Sequence, residues 1–341
     1  MSALNSSLKR ILQKACDLEA SDIHFYPFKE KVTIYFRIHG QRVKHLIINL
    51  STYQQLLAYL KFTSGMDIGE VRKPQDGIFA YFYKNKEYSL RLSTLPILNT
   101  ESLAIRILPQ EDHLSLDRLF LFPNQLNKIK SILSNTSGLI LITGATGSGK
   151  TTTLYALLEA LSKRQAYQVV TLEDPIEKQV DNILQVQINE RSGITYQTSL
   201  KATLRHDPDI IMIGEIRDAN VAHFSHRAAL TGHLVFSTLH AKNSLGTLHR
   251  LLDMGLTKVE LQQSLKAIIS LELLPISVNG QPTRRAAIFE MLDENMINAI
   301  LEGSDITIEQ NQTFEHLRKK AYVYGFIDQK TYENFISSKN Q

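Results

Sequence analysis

An octapeptide at residues 144–151 constrains the fold of this chain more than any other feature of its sequence. It reads Gly-Ala-Thr-Gly-Ser-Gly-Lys-Thr and fits the pattern G-x-x-x-x-G-K-[ST] of a phosphate-binding loop. The glycines let the backbone turn so that several N–H groups point at one anion. Lys150 adds a positive charge for the β- and γ-phosphates, and the Thr151 hydroxyl can ligate Mg²⁺. The octapeptide therefore predicts a site for ATP with Mg²⁺.

The sequence on either side of the loop has the order that such a site requires. Residues 139–142 are an apolar run typical of a buried parallel strand, and residues 152–158 are typical of a helix. The N-terminal dipole of that helix adds to the affinity for phosphate. We expect Lys150 to face solvent at this site. The residues predicted to bind the nucleotide are Gly144, Ala145, Thr146, Gly147, Ser148, Gly149, Lys150, Thr151 and Thr152.

The composition limits the classes of protein to which the chain can belong. Its 341 residues are enough for two domains. The net charge of +4, from 38 basic and 34 acidic residues, is too small by itself to indicate a nucleic-acid-binding protein. No apolar run approaches the roughly 18 residues that span a bilayer. We therefore expect a cytoplasmic protein whose association with a membrane is peripheral.

The single cysteine, Cys16, indicates a reducing compartment. One cysteine permits neither an intrachain disulfide nor a zinc site built from cysteines, and we expect no zinc. Cys16 stands at helical spacing from Leu8, Leu12 and Ala15. This spacing predicts that the thiol is buried in an apolar environment.

Residues 1–109 predict a small α+β domain, in which short strands with local turns accompany two helices. One helix covers residues 4–18. Ser51 is predicted to cap the second helix, which ends near Phe62. Asp76-Gly77 is interpreted as a turn before the following strand. The predicted strands cover residues 31–38, 43–48, 78–83, 88–94 and 103–108.

Residues 110–122 are predicted to form a linker, because a polar stretch precedes the next helical pattern. Over residues 123–341 buried strands alternate with helices, which predicts a mainly parallel sheet covered on both faces. After about residue 257 the sequence favours helices, with one strand-like stretch at 286–291. The earlier strands are predicted at 138–143, 168–173, 183–188, 209–214 and 233–238, and the earlier helices at 150–163, 196–206, 218–230 and 243–254.

Acidic residues follow two of these predicted strands. Ligands bind beyond the carboxyl ends of strands in parallel sheets, so Glu173, Asp174 and Glu215 are candidates for Mg²⁺ ligation and for the activation of water. Asp174 can equally be only part of a turn, and Asp218 can be only a helix cap. A zinc site formed by the histidines is disfavoured, because no further ligands follow at the usual spacing.

Taken in order, these motifs resemble those of the type II secretion and type IV pilus assembly ATPases, the secretion or traffic ATPase family. The resemblance runs from Ala20 to about Met291. It implies an α/β fold with a RecA-like ATPase domain, preceded by a small α+β domain of the PAS-like type. The segments that carry the resemblance are ASDIH at 20–24, KPQDG at 73–77, RLSTLP at 91–96, the phosphate loop, LEDPIE at 172–177, LRHDPDIIMIGEIRD at 204–218 and ALTGHLVFSTLH at 229–240.

The resemblance implies roles for the acidic residues near the loop. Glu173, Asp174 and Glu177 occupy the aspartate box of the family. Glu215 occupies its atypical Walker B motif, in which glycine-glutamate stands in for the usual aspartate. Glu173 and Glu215 thereby become candidate catalytic residues. Thr151, Asp174 and Glu215 become the candidate Mg²⁺ ligands.

Four further catalytic candidates follow from the resemblance. His233 and His240 occupy the histidine box, which is thought to sense the γ-phosphate. Arg91 and Arg106 match the two arginines of the N-terminal domain that face the nucleotide. Residue type alone would make both of them ordinary surface charges. A guanidinium suits a γ-phosphate because it can donate two hydrogen bonds at once.

The resemblance also implies partners. It predicts a homo-hexameric ring in which ATP turnover moves an inner-membrane platform protein that adds pilin-like subunits. The short chain, the lack of a four-cysteine zinc insertion and the stretch at 186–196 favour assembly members of the Gram-positive competence type. In those machines the pseudopilus serves DNA uptake, and we expect no direct binding of nucleic acid by this chain.

Two alternative functions stay open from the sequence. One is a pilus retraction ATPase, which has the same chemistry and the opposite output. The other is a RecA-like nucleic-acid translocase, although the sequence shows no aromatic and basic cluster apart from the arginines already assigned. One residue departs from the family pattern, since His39 stands where an aspartate is usual.

Overall fold

The computed structural model divides the chain into two compact units, Met1–Asp112 and His113–Gln341. Each unit has its own apolar core. The departure from the family pattern at His39 lies outside the described residues. The described residues are 2–38, 41–98, 100–110, 115–164, 166–241, 243–278, 281–304 and 312–337.

The first unit is a six-stranded antiparallel sheet in the order β3-β2-β1-β6-β5-β4, with two helices packed against it. This architecture confirms the predicted α+β class for the N-terminal part of the chain. Its strands are β1 (Asp22–Phe28), β2 (Lys31–Ile38), β3 (Gln41–Asn49), β4 (Gln75–Tyr83), β5 (Lys86–Ile97) and β6 (Thr100–Gln110), and its helices are α1 (Ser2–Asp17) and α2 (Leu50–Thr63).

The alternation of side chains along the strands decides which face of this sheet the helices cover. Ile23 and Phe25 of β1 are fully buried and pack in one core with Leu12 of α1 and Leu60 of α2. Cys16 belongs to the same core and is 7% exposed, which confirms its predicted burial. Burial raises the pKa of the Cys16 thiol to about 11.

Two local predictions in this unit were wrong. The N-cap of α2 is Asn49 and not Ser51, because the Asn49 side chain accepts the hydrogen bond from the Thr52 N–H at 2.8 Å. Asp76-Gly77 is not a turn but lies inside β4. Glycine is required there by a close approach, since a Cβ atom at Gly77 would lie 2.5 Å from the Ser64 Oγ.

The opposite face of this sheet carries an aromatic and basic cluster. The guanidinium carbon of Arg42 on β3 lies 4.9 Å from the ring centre of Tyr26 on β1 and 4.2 Å from that of Tyr35 on β2. The prediction that the chain has no basic and aromatic loop for a nucleic-acid strand is not tested by this cluster, which contains one arginine. Its members come from three strands, so only strand pairing brings them together.

The second unit is a seven-stranded sheet in the order β13-β12-β7-β11-β10-β8-β9. All neighbouring strands are parallel except the pair β12 and β13. The strands are β7 (Gly138–Thr143), β8 (Val169–Glu173), β9 (Leu184–Gln187), β10 (Ile210–Ile213), β11 (Leu234–Leu239), β12 (Leu265–Val278) and β13 (Gln281–Asp293).

Helices cover both faces of this second sheet, as predicted. One apolar core includes residues of α4 and α5, and a separate core includes residues of α6 to α10. The helices are α3 (Leu116–Leu119), α4 (Pro123–Ile132), α5 (Lys150–Arg164), α6 (Tyr196–Thr203), α7 (Ala219–Leu230), α8 (Ser244–Asp253), α9 (Lys258–Ser264), α10 (Glu294–Leu301), α11 (Phe314–Val323) and α12 (Gln329–Ser337).

The prediction of mainly helical structure after residue 257 was wrong over β12. The sequence does not reveal this strand because its apolar side chains are buried on both faces of the sheet. Leu265 and Ile268 lie in one core, and Ile269 and Leu271 lie in the other. Such a strand is a nearly continuous apolar run, which periodicity cannot tell from a buried helix. The strand-like stretch at 286–291 is confirmed as part of β13.

The stretch predicted as a linker, 110–122, needs revision at its C-terminal end. Leu119 and Phe120 are buried in the core of the second unit, and the Leu121 N–H donates to the Ala287 carbonyl at 2.9 Å. The Phe120 and Phe289 rings meet edge to face with centroids 5.3 Å apart. Residues 111–114 lie outside the described part of the chain. Among the described residues, no helix is both long and apolar enough to cross a membrane.

Candidate nucleotide-binding site

The phosphate loop joins the carboxyl end of β7 to the first residue of α5. Gly144 adopts a φ of +143°, and a Cβ atom there would lie 2.6 Å from both the Leu271 carbonyl oxygen and the Ser148 Oγ. Only glycine fits at this position. No described residue forms a hydrogen bond with the buried hydroxyls of Ser148 or Thr143. A tight cradle with buried hydroxyls that lack partners fits the oxygen atoms of a phosphate chain.

Lys150 is buried in the loop, which contradicts the expectation that it faces solvent. Its residue exposure is 8%, and its Nζ donates to the carbonyl oxygens of Gly144 and Ala145 at 2.9 Å each. Burial lowers the pKa of the ammonium, and the nearby carboxylate of Glu215 opposes that effect. The expectation failed because the flexible side chain folds back onto carbonyls of its own loop.

Glu215 and His240 link the ends of two neighbouring strands to the loop. Glu215 follows β10 and His240 follows β11, and these strands are parallel neighbours. The His240 Nε2 lies 3.3 Å from the Glu215 Oε2, and the His240 Nδ1 lies 3.5 Å from the Lys150 Nζ. Three residues assigned from separate motifs are therefore brought together at one edge of the sheet.

Arg217 is a functional candidate that the sequence interpretation missed. Its guanidinium donates to both Glu215 and Asp174, and the distance from Nη1 to the Asp174 Oδ2 is 2.7 Å. Burial raises the pKa of Glu215, but the contacts with Arg217 and His240 outweigh burial and hold it below its usual value. The available signal was the spacing of two residues between Glu215 and Arg217, which places both on one side of an extended loop.

Glu173 is positioned differently from the other acidic candidates. It is 3% exposed, and its carboxylate accepts hydrogen bonds from Tyr155, from Thr171 at 2.6 Å and from Gln185 at 3.1 Å. Burial and the charge of Glu173 both raise the pKa of the Tyr155 hydroxyl. A carboxylate held on both oxygens anchors the end of β8. Its catalytic assignment stays a prediction.

His233 is not brought to the phosphate loop within this unit. It precedes β11, whereas His240 follows that strand. The His233 Nδ1 lies 2.9 Å from the Thr231 Oγ1 and 3.2 Å from the Ala228 carbonyl oxygen. Its assignment to the nucleotide also stays a prediction. The cap interpretation of Asp218 is confirmed, because its Oδ1 accepts from the Val221 N–H at 3.0 Å.

Arg91 and Arg106 form part of a charged row across the sheet of the first unit. Arg91 is directly opposite Arg106, Arg106 is opposite Asp22, and Asp22 is opposite Arg37. The Asp22 carboxylate accepts from the Arg106 Nε at 3.0 Å and lies 3.7 Å from the Arg37 Nε. Burial raises the pKa of Asp22, but hydrogen bonds from Ser21 and Arg106 outweigh it and lower the pKa.

This row carries three arginines against one aspartate, and two of the arginines face each other. Like charges directly opposite on paired strands are destabilising. Arg91 and Arg106 belong to the first unit and the phosphate loop belongs to the second. The assignment of these arginines to the nucleotide stays a prediction.

The acidic residues at the loop fit a Mg²⁺ ion that is bound mainly through a nucleotide. Among the described residues, no group of three or more histidine, cysteine, aspartate or glutamate side chains forms a metal site. Mg²⁺ usually takes only one or two carboxylates together with substrate phosphates. Glu215 and Asp174 at the strand ends, with the Thr151 hydroxyl at the start of α5, match that donor set.

Comparison with known proteins decides the family of the chain. A family model described as "Type II/IV secretion system protein" matches residues 1–280. The chain belongs to this family. The predicted family is thereby confirmed, and with it the assignment of the chain among the secretion ATPases.

Two competence proteins match the chain along its length. Competence protein ComGA of Bacillus subtilis (strain 168) is 39% identical over 98% of this chain and 99% of that protein. ComGA of Halalkalibacterium halodurans is 40% identical over the same shares. Type II secretion system protein E of Xanthomonas campestris pv. campestris is 37% identical over 77% of this chain but only 47% of that protein. The matched part is thus about half of that longer relative.

Solved structures confirm the fold class. The pilus retraction motor PilT, with bound ADP, has a TM-score of 0.72 and 28% identity, with 94% of each chain covered. The ATPase DotB of Legionella pneumophila has a TM-score of 0.73 at 22% identity and covers 98% of this chain and 96% of its own, which shows the fold alone. The α/β class with a RecA-like domain, predicted from the sequence, is confirmed.

Proposed function

We propose that this chain is a Mg²⁺-dependent ATPase that powers assembly of a competence pseudopilus for DNA uptake. The observation that carries the proposal is the contact of His240 with both Glu215 and Lys150 beside the phosphate loop. Binding and hydrolysis groups from separate motifs converge there. The match to two ComGA proteins over 98% of the chain supports a role in competence.

Each residue of the site has a role in this proposal. Backbone N–H groups of residues 144–151 and the Lys150 ammonium bind the β- and γ-phosphates. Mg²⁺, when bound, neutralises charge on the phosphate oxygens, and Thr151, Asp174 and Glu215 are the residues that would hold it. Glu215 orients or deprotonates the attacking water, while His240 fixes the direction of the Glu215 carboxylate.

Cations from the first unit complete the proposed chemistry. Arg91 and Arg106 stabilise the negative charge that develops at the γ-phosphate, and Asp22 holds Arg106 in place for that role. Glu173 anchors the end of β8 next to Asp174, whereas no contact among the described residues of this unit supports the predicted role of His233 at the γ-phosphate. Hydrolysis then requires the two units to move relative to each other, which converts chemistry into motion.

The proposed assembly is a homo-hexameric ring at the cytoplasmic face of a membrane. A polytopic platform protein is the direct partner, and pilin-like subunits are the clients of that partner. The chain contacts the membrane through this partner and requires no zinc. Membership of a secretion family supports such an arrangement.

A retraction motor is the second candidate, and the similarity to PilT favours it. The two functions use the same residues of the site and differ only in whether ATP hydrolysis drives assembly or retraction of the pilus. Deletion of the gene decides between them. Loss of pseudopili together with loss of transformation supports assembly, whereas retained or more numerous pili without transformation supports retraction.

The nucleotide assignment is tested with the Lys150→Ala variant of the full chain. We expect loss of most ATP affinity or turnover while the circular dichroism spectrum stays that of the wild type. Lys163→Ala, which removes an exposed lysine from the same helix, is the matched control and should hydrolyse ATP normally. Normal hydrolysis by folded Lys150→Ala would contradict the assignment.

A further inference from the structure

The loop between β10 and α7 is held on both sides of Arg217. The Ile216 N–H donates to the Thr238 carbonyl at 2.8 Å, and the Ile216 side chain is buried in the core. Asp218 caps α7. Since Ile216 points inward, Glu215 and Arg217 project together toward the edge of the sheet that carries the phosphate loop. The backbone therefore fixes where the guanidinium can reach.

Arg217 joins two carboxylates that come from different strands. Its Nε donates to Glu215 after β10, and its Nη1 donates to Asp174 after β8 at 2.7 Å. Its Nη2 also lies 3.5 Å from the Asp174 carbonyl oxygen. The side chains of Asp174 and Glu215 are 42% and 26% exposed, so an incoming ion can reach both carboxylates.

The charge balance of this cluster makes Arg217 a counter-ion. Glu215 and Asp174 bring two negative charges close together, and Arg217 forms an ion pair with each of them. Of these two carboxylates, His240 contacts that of Glu215. A divalent cation between the carboxylates would meet the guanidinium as a like charge, which costs free energy at this range.

We propose that Arg217 is a positioning residue that competes with a divalent cation for the carboxylates of Glu215 and Asp174. This inference rests on the proposed function, because it assumes that these carboxylates take part in Mg²⁺ binding. Arg217 keeps the two strand ends together and raises the cation concentration needed to occupy them. Arrival of a nucleotide, which carries its own negative charge, then shifts the balance toward the metal.

The competing view is that Arg217 only ties two strand ends together. In that case removing it lowers the thermal stability but leaves the metal affinity of the carboxylates unchanged or weaker. If Arg217 competes with the cation, removing it increases the metal affinity of the carboxylates. The sign of one binding measurement therefore separates the two roles.

The test measures binding of Mn²⁺ alone to the full chain, without nucleotide, by electron paramagnetic resonance. We expect Arg217→Gln to bind Mn²⁺ about tenfold more tightly than the wild type, a difference of about 1.4 kcal/mol. Arg217→Lys keeps the charge but cannot donate to both carboxylates in the same fork, so its affinity should lie between the two. Arg285→Gln removes an exposed arginine from β13, at the other end of the sheet order, and should bind as the wild type does.

Each outcome supports or overturns the proposal. Tighter binding by Arg217→Gln but not by Arg285→Gln supports it. Unchanged, weaker or undetectable binding by Arg217→Gln, or an equal gain in Arg285→Gln, overturns it. If Arg217→Gln does not fold, Arg217→Lys decides alone by the same criterion. Because the assay contains no nucleotide, failure of the proposed ATPase function is recognised separately, as absence of ATP hydrolysis by the wild type.

Discussion

The imidazole of His240 lies against the carboxylate of Glu215, with 3.3 Å between Nε2 and Oε2. The two residues are 25 positions apart in the sequence, and the parallel pairing of β10 with β11 brings them together. The other ring nitrogen of His240 faces Lys150 at 3.5 Å. One histidine therefore connects the residue that would activate water to the residue that would bind phosphate.

Replacement of His240 should affect turnover more than ATP binding. In His240→Ala the Glu215 carboxylate loses one of the contacts that direct it, and a hydrogen bond to a charged group is worth about 1.5–3 kcal/mol. We expect kcat to fall about 10- to 100-fold, with ATP affinity changed much less. Steady-state hydrolysis and equilibrium ATP binding measure the two quantities. His249→Ala, at an exposed position of α8, is the control. An equal loss of kcat in both variants would contradict the proposal that His240 directs the Glu215 carboxylate.

Much of the fold and of the site was predictable from sequence, because the motifs are local. The phosphate loop, the strand before it and the helix after it are set by consecutive residues, and all are observed. What was missed depends on contacts between distant segments. The strand β12 is buried on both sides, so its apolar run carries no period. Arg217 acquires its significance only when β8 and β10 pair, which brings Asp174 beside it.

The position of Lys150 illustrates a second limit of the sequence. A motif specifies which ammonium belongs to the loop but not which oxygens it contacts in a given state. Two loop carbonyls accept from it here. The burial of Glu173 is similar, because its three donors come from α5, β8 and the strand β9.

Arg91→Ala and Arg106→Ala should each reduce turnover more than nucleotide affinity. Arginines that stabilise transferring phosphoryl groups can contribute about 10³–10⁵-fold to turnover in other enzymes. Asp22→Asn should cause a smaller loss in the same direction, because it releases Arg106 without removing it. ATP hydrolysis and binding are measured for each variant, with Arg10→Ala on an exposed position of α1 as the control. Wild-type kcat in both arginine variants would contradict a role of these residues in hydrolysis and leave them as ordinary surface charges.

Cys16 should be almost unreactive in the folded protein. Its pKa of about 11 leaves roughly one thiol in a thousand ionised at pH 8, and only the thiolate reacts quickly. Because the folded pKa is raised, unfolding exposes a thiol that ionises at a lower pH. A thiol reagent at pH 8 should therefore label the native chain slowly and the guanidinium-unfolded chain within seconds. Fast labelling of the native chain would show that the α1 side of the first core is open.

ATP binding and ATP hydrolysis by Glu215→Gln test the proposed chemistry most directly. Glutamine keeps the size of the side chain but cannot accept a proton from water, and general-base contributions are about 10²–10⁴-fold. We predict that this variant binds ATP with Mg²⁺ nearly as well as the wild type and loses turnover by that factor. Turnover at the wild-type rate would contradict the assignment of Glu215 as the residue that activates water.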